Sequence, residues 1–169
     1  MSYNPQVTYS QKYCLVYFTD DIAVGTEFDM ADWPLHITLA DVFAASLSET
    51  EFATELDTTL KKLAPVTTKA IHEAKLGDCE VVLVKRTPDL QALHIKLIDL
   101  LEANGAVFNV PGFVRDGFLP HSTIQKAGRL YKDDPVTIDG IALVDMFPDN
   151  NWQRRKVLRI FKLYANNQL

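Results

Sequence analysis

Leu35-His36-Ile37-Thr38-Leu39 and Pro120-His121-Ser122-Thr123-Ile124 are two versions of one phrase, placed 85 positions apart. Each is His-x-Thr followed by an apolar residue. Each follows an aromatic and a proline, in Trp33-Pro34-Leu35 and in Phe118-Leu119-Pro120. Side chains two apart on a β-strand point to the same face, so each copy presents an imidazole beside a hydroxyl. Two copies facing each other would supply two imidazoles for proton transfer and two hydroxyls for an anion.

Working outward, the segment before the first copy, residues 13–18, is a continuous apolar, β-favouring run and reads as a buried strand. Residues 20–34 read as a loop, and residues 35–43 as the first motif strand. Ser48-Glu49-Thr50-Glu51 has the form of a capping box, followed by Phe52, Leu56, Leu60 and Leu63 at helical spacing, with Pro65 ending the helix. Residues 66–76 and 79–85 form a hairpin around Gly77-Asp78. Thr87-Pro88 opens a second helix with Leu90, Leu93, Leu97, Leu100 and Leu101 as its buried stripe, closed by Asn104-Gly105. Residues 106–118 read as a loop and residues 119–125 as the second motif strand. Two further strands, 136–145 and 152–164, close the chain as a hairpin across Pro148-Asp149-Asn150-Asn151. The order places the motifs as equivalent elements of two lobes, a degenerate duplication. Antiparallel sheets with outer helices make the expected class α+β. Residues 1–10 are polar and expected to be loose, leaving 11–169 as one bilobal domain.

A chain of 169 residues with 47% apolar side chains and a net charge of −5 suits a packed domain and argues against a broad basic surface for long duplex nucleic acid. A single phosphate needs only a few local donors, so a small nucleotide or an RNA end remains a fitting partner. Cys14 and Cys79 are too few and too scattered for a disulfide framework or a zinc site, and Cys14 reads as a buried thiol. There is no apolar run of about 18 residues, which excludes a membrane-spanning helix. The opening Met1-Ser2-Tyr3-Asn4-Pro5 lacks a basic and apolar leader, so the cytoplasm is the expected compartment.

Histidine titrates near neutrality, so one imidazole can accept a proton while the other donates one. Phosphodiester cleavage needs both actions, and threonine hydroxyls can stabilise the charge that builds on the non-bridging oxygens. The pattern therefore assigns His36 and His121 to acid–base work and Thr38 and Thr123 to phosphate binding. No metal or other cofactor is expected. Only His72-Glu73 pairs a histidine with a neighbouring carboxylate, and adjacent strand residues point apart. His72 and His94 read as structural or surface residues. Trp33, Phe108, Phe113 and Phe118 lie near the motifs, and Phe118 and Trp33 are candidates for stacking on a base. Arg115 and Lys126 are candidate phosphate contacts, with Arg129 as further cationic support.

The paired tetrads, half a chain apart, resemble the signature of the two-histidine (2H) phosphoesterase superfamily, which includes 2′-5′ RNA ligase-like proteins and cyclic nucleotide phosphodiesterases. The first strand and the closing hairpin also fall where that superfamily has them. The resemblance spans about residues 11–165. It implies a bilobal α+β fold with pseudo-two-fold symmetry around a central cleft. It also implies metal-independent attack on a 2′,3′-cyclic phosphate or a 2′-5′ linkage, with His36 and His121 as acid and base. A 2′-5′ ligase, a phosphodiesterase for cyclic oligonucleotides and a non-catalytic nucleotide- or RNA-binding module are the alternatives. Many members carry a basic residue shortly after each motif. Here Asp41 follows the first and Lys126 the second, an asymmetry that assigns substrate orientation to the second half.

Overall fold

A computed structural model describes residues 11–164; the loose segment expected at 1–10 lies outside the described residues. In chain order the elements are β1 (Lys12–Phe18), β2 (Glu27–Asp29), β3 (His36–Ala44), α1 (Glu49–Leu60), β4 (Val66–Leu76), β5 (Cys79–Val84), α2 (Pro88–Ala103), β6 (Val107–Phe108), β7 (His121–Thr123), β8 (Pro135–Ile138), β9 (Gly140–Asp145) and β10 (Arg154–Lys162). They form a six-stranded sheet ordered β2-β10-β9-β1-β3-β6 and a four-stranded sheet ordered β7-β5-β4-β8. Every pairing is antiparallel, and the class is α+β.

The unbroken apolar run of β1 follows from its place between β9 and β3, where both faces are covered. Tyr13 and Leu15 enter the main core with the residues of α1 and α2. Cys14, Val16 and Phe18 enter a second cluster with Phe28, Ala142, Val144 and Val157. The Cys14 thiol is buried, and burial pushes its pKa up.

Both helices start where the caps require. The Ser48 hydroxyl accepts the Glu51 N–H at 3.3 Å, and the Thr87 hydroxyl accepts the Leu90 N–H at 3.1 Å. α1 buries Phe52, Leu56 and Leu60 and packs against β10. α2 buries Leu90, Leu93, His94, Leu97, Ile98 and Leu101 and packs against both β3 and β4, so it spans the two sheets. Gly105, at φ +83°, reverses the chain after α2 in a conformation glycine adopts without strain.

Four stretches differ from the sequence reading. The strand expected at 136–145 is two strands in different sheets. β8 pairs with β4 and β9 pairs with β1 and β10, and the chain crosses between sheets at Asp139. The alternating β8 and β9, buried from Gly140 to Val144, run together in sequence, which hides the break. The expected loops at 20–34 and 106–118 each contain a short strand, β2 and β6, added at the two edges of the larger sheet. The second motif strand is only His121–Thr123, although Pro120 O and the Ile124 N–H still bond across to Val84 and Glu80. The sequence halves are also not the lobes. The larger sheet joins β1–β3 to β6 and to β9–β10, and the smaller one takes β4, β5, β7 and β8 from between.

Candidate active site

β3 and β7, from different sheets, pack against each other and carry the two tetrads. On β3, Phe18 lies opposite His36 and Val16 opposite Thr38. On β7, Leu83 lies opposite His121 and Val81 opposite Thr123. Alternation separates the roles within each tetrad. Ile37, Leu39 and Ser122 are buried, whereas His36, Thr38, His121 and Thr123 remain partly accessible. The histidines are near enough that charge on His121 disfavours charge on His36. No other described residue engages the Thr38 or Thr123 hydroxyl.

The two imidazoles are held in the same way. His36 Nδ1 bonds the Pro34 carbonyl at 2.9 Å, and His121 Nδ1 bonds the Leu119 carbonyl at 2.7 Å. In each case the acceptor is the residue two positions back. A carbonyl only accepts, so Nδ1 carries the proton and Nε2 of the neutral ring keeps its lone pair. The proline near each motif falls at a different offset, −2 in one copy and −1 in the other, so it is the carbonyl position and not the proline that repeats.

The surroundings of the two rings differ. Trp33 lies against His36 at a centroid separation of 4.4 Å, and Phe18 approaches edge-on at 6.2 Å. Burial there lowers the His36 pKa below its ordinary value. The Pro34 carbonyl opposes this shift and His121 adds to it. Asp41 lies within a register shift of the β1–β3 pairing, between Ala40 and Phe43, and is half-buried. Burial raises its pKa, while the Val42 backbone and His121 lower it, so this carboxylate is within electrostatic reach of the second histidine.

The other expected contacts are redistributed. Phe118 is 5% exposed and stacked on His94 at 3.9 Å with planes 3° apart. Its ring face is taken, which corrects its reading as a base-stacking platform. The Arg115 guanidinium is paired with Asp99 at 2.8 Å and Glu102 at 3.0 Å on α2, so it is not held for a phosphate. Trp33 supports the His36 ring, with Phe28 edge-on at 4.8 Å and the Arg155 guanidinium 5.9 Å from its centroid. Lys126 is exposed in the turn after β7 and forms no ion pair among the described residues. Arg129 pairs with Glu73 at 2.6 Å and lies over Tyr131. Phe108 is buried against Phe43, Phe113 is exposed, and His72 bonds the Glu73 carbonyl away from the motifs. Two cavities lie elsewhere, one beside Tyr17 and Asp139 and one between α1 and β10. Among the described residues, no group of three His, Cys, Asp or Glu side chains is placed to hold a metal ion, and no helix is long and apolar enough to cross a membrane.

The model of the 2′-5′ RNA ligase superfamily matches residues 24–141, a span that contains both tetrads. The chain belongs to that superfamily. Similar folds occur in crystal structures at low sequence identity. One is a phosphoesterase at 17% identity, covering 91% of this chain and 98% of that one, with a TM-score of 0.60. Another is a Thermus thermophilus protein at 16% identity, covering 90% and 97%, with a TM-score of 0.58. A third is Escherichia coli LigT complexed with 3′-AMP, at 16% identity, covering 91% and 98%, with a TM-score of 0.56. No curated protein matches the chain. Membership of the 2′-5′ RNA ligase superfamily supports an activity of phosphodiesterase or ligase type.

Three features of this superfamily member escape a motif search: the carbonyls of Pro34 and Leu119, the Trp33–His36 contact, and His94. Of these only His94 leaves a sequence trace. It falls four residues after Leu90 and three before Leu97, inside the buried stripe of α2.

Proposed function

We propose that the chain is a phosphodiesterase that opens a 2′,3′-cyclic phosphate or cleaves a 2′-5′ linkage in a small nucleotide or RNA end, using His36 and His121 as a general acid–base pair. The observation that carries this reading is the matched anchoring of the two imidazoles, each Nδ1 on the carbonyl two residues back. That arrangement leaves both Nε2 atoms to exchange protons with a substrate. E. coli LigT crystallised with 3′-AMP, with NADP+ and with ATP supports a small nucleotide as the class of ligand.

In this mechanism Nε2 of the neutral histidine takes a proton from water as its oxygen attacks phosphorus. The protonated histidine gives its proton to the departing ribose oxygen, and the P–O bond to that oxygen breaks. Thr38 and Thr123 donate to the non-bridging oxygens as negative charge accumulates. Acid, base and charge stabilisation are all supplied by side chains, so the reaction needs no metal. Burial against Trp33 and Phe18 suits His36 to the base, which leaves the acid role to His121. With a 5′-hydroxyl in place of water as the nucleophile, the same groups would join it to a 2′,3′-cyclic phosphate, the P–O bond to the ribose oxygen again breaking.

The deciding experiment incubates the protein, in EDTA, with 2′,3′-cyclic mononucleotides and 2′-5′-linked dinucleotides, and separately with ends suitable for joining. Turnover of either phosphodiester is the expected result. Ligation without hydrolysis would replace the proposed direction, and tight binding without turnover would leave a binding module.

The base assignment carries a pH dependence. The His36 pKa is lowered by burial, so its neutral form persists below the ordinary histidine value of about 6.5. The acid limb of kcat/KM, which reports the free enzyme, therefore falls below that pH. Trp33→Leu opens the ring to water and moves the limb upward. A wild-type limb at or above the ordinary value would transfer the base role away from His36.

A further inference from the structure

His94 uses both ring nitrogens and a ring face, and its partners are the last residue of the first motif and the segment that leads into the second. It stands on α2 and is 1% exposed. Its Nδ1–H donates to the Leu39 carbonyl at 2.7 Å, and its Nε2 accepts the Arg115 backbone N–H at 2.8 Å. Its ring lies flat on Phe118. Leu39 is the last residue of the first tetrad. In the pairing with β1 the register passes from Thr38 to Ala40, so Leu39 has no opposite residue. Phe118 stands three residues before His121, on the segment that enters β7.

That segment is held from α2 at further points. Gln91 Nε2 donates to the Arg115 carbonyl at 2.9 Å, and Asp99 and Glu102 hold the Arg115 guanidinium. Arg86, beyond the end of β5, donates to the Asp116 and Phe118 carbonyls at 3.1 and 2.7 Å. Arg115 itself has φ +60°, a left-handed conformation that a non-glycine residue keeps only when its surroundings impose it.

We propose that His94 is a positioning residue that sets the relation of the two motif strands by clamping Leu39 of the first tetrad to the Arg115–Phe118 segment leading into the second, and that it does so only as the neutral Nδ1–H tautomer. Protonation would place an N–H at Nε2 against the Arg115 N–H, donor against donor, and open the clamp. Burial disfavours that charge, the Leu39 carbonyl works against the effect, and the positive Arg115 and Arg86 add to it. Asp99 and Glu102 face the Arg115 guanidinium and offset part of its charge.

The kinetic consequence rests on the acid–base reading of His36 and His121; the structural one does not. His94→Phe keeps a ring to stack on Phe118 and removes both hydrogen bonds. The variant is expected to fold and to lose about 10- to 100-fold in kcat with KM changed by less than about threefold, because misplaced groups lose transition-state stabilisation first. A residue that merely stabilises the fold would leave kcat per folded molecule unchanged. A readout independent of turnover is the titration of labelled protein with inorganic phosphate, followed at the Thr38 and Thr123 amides. In the wild type both amides respond with one midpoint; in His94→Phe the midpoints separate and weaken. If no substrate is turned over, the acid–base reading fails while this titration still judges the clamp. Should the variant not fold, the wild type carries the test: Arg115 amide protection is lost in step with His94 protonation. Wild-type kcat and an unchanged phosphate response in His94→Phe, or an Arg115 amide still protected after His94 protonates, overturns the proposal.

Discussion

Alanine at His36 or at His121 lowers kcat by about 10²- to 10⁴-fold, the usual worth of a positioned general acid or base. The two variants differ in the limb they erase. His36→Ala removes the acid limb of the pH–rate profile, because the group that must be neutral is gone. His121→Ala removes the limb of the group that must be protonated. Ile37, Leu39 and Ser122, which carry the packing of both strands, are left in place, although the His36 ring also meets Trp33 and Phe18. Thermal unfolding is therefore expected to stay close to wild type, and the loss is in the chemistry. Double replacement costs little more than the worse single one, because acid and base act as a unit. The measurement is steady-state kinetics across pH on a 2′,3′-cyclic mononucleotide, with circular dichroism as the control for folding. Full activity in either variant removes both histidines from the proposed mechanism.

The second large effect is expected from the hydroxyls. Thr38→Val and Thr123→Val keep a β-branched side chain of nearly the same shape, suited to a strand, and delete only the donor. Each is expected to lower kcat by about 10²-fold, comparable to the loss of a single donor to a developing oxyanion. Both pH limbs stay where they are, since neither threonine titrates. This pattern separates charge stabilisation from proton transfer, and it would not arise if the threonines only spaced the strands. Unchanged kcat in both valine variants, with inorganic phosphate binding as in wild type, would reassign the phosphate site to other donors, with Lys126 the first candidate by position.

The parts of this molecule that were readable in advance are those where one local signal dominates. Ser48 and Thr87 mark helix starts because a hydroxyl in front of an apolar stripe has an orphan N–H to satisfy. The run 13–18 marks a central strand because only burial on both faces tolerates it. The boundary at Asp139 was not readable, since it depends on which neighbour each half of an apolar run finds. β2 and β6 were hidden for the same reason: short edge strands are defined by their partners more than by their own residues.

The candidate site divides along the same line. The motif names the four groups that carry the proposed chemistry, and it says nothing of what holds them. Phe118 illustrates the limit. Its place beside the motif suggests a ligand-stacking ring, but the face that would meet a base is covered by His94 from an element 24 residues upstream. Arg115 is similar: a cation near a motif in sequence, drawn to Asp99 and Glu102 on α2. Only the folded chain brings these groups together.

The lobe that carries His36 joins residues 12–44 to residues 140–162, and this has a consequence for synthesis on the ribosome. The strands of the four-stranded sheet all lie within residues 66–138 and emerge together. β1 has no partner on its β9 side until residue 140 has followed, and the Cys14 thiol meets the Met146 sulfur across 132 residues. Trp33, the support of the His36 ring, lies beside Arg155 on β10. A chain arrested before β10 can therefore complete the half that bears His121 but not the surroundings of His36. Vectorial growth withholds the finished pair until β10 docks, so fragments that stop before β10 are born without it.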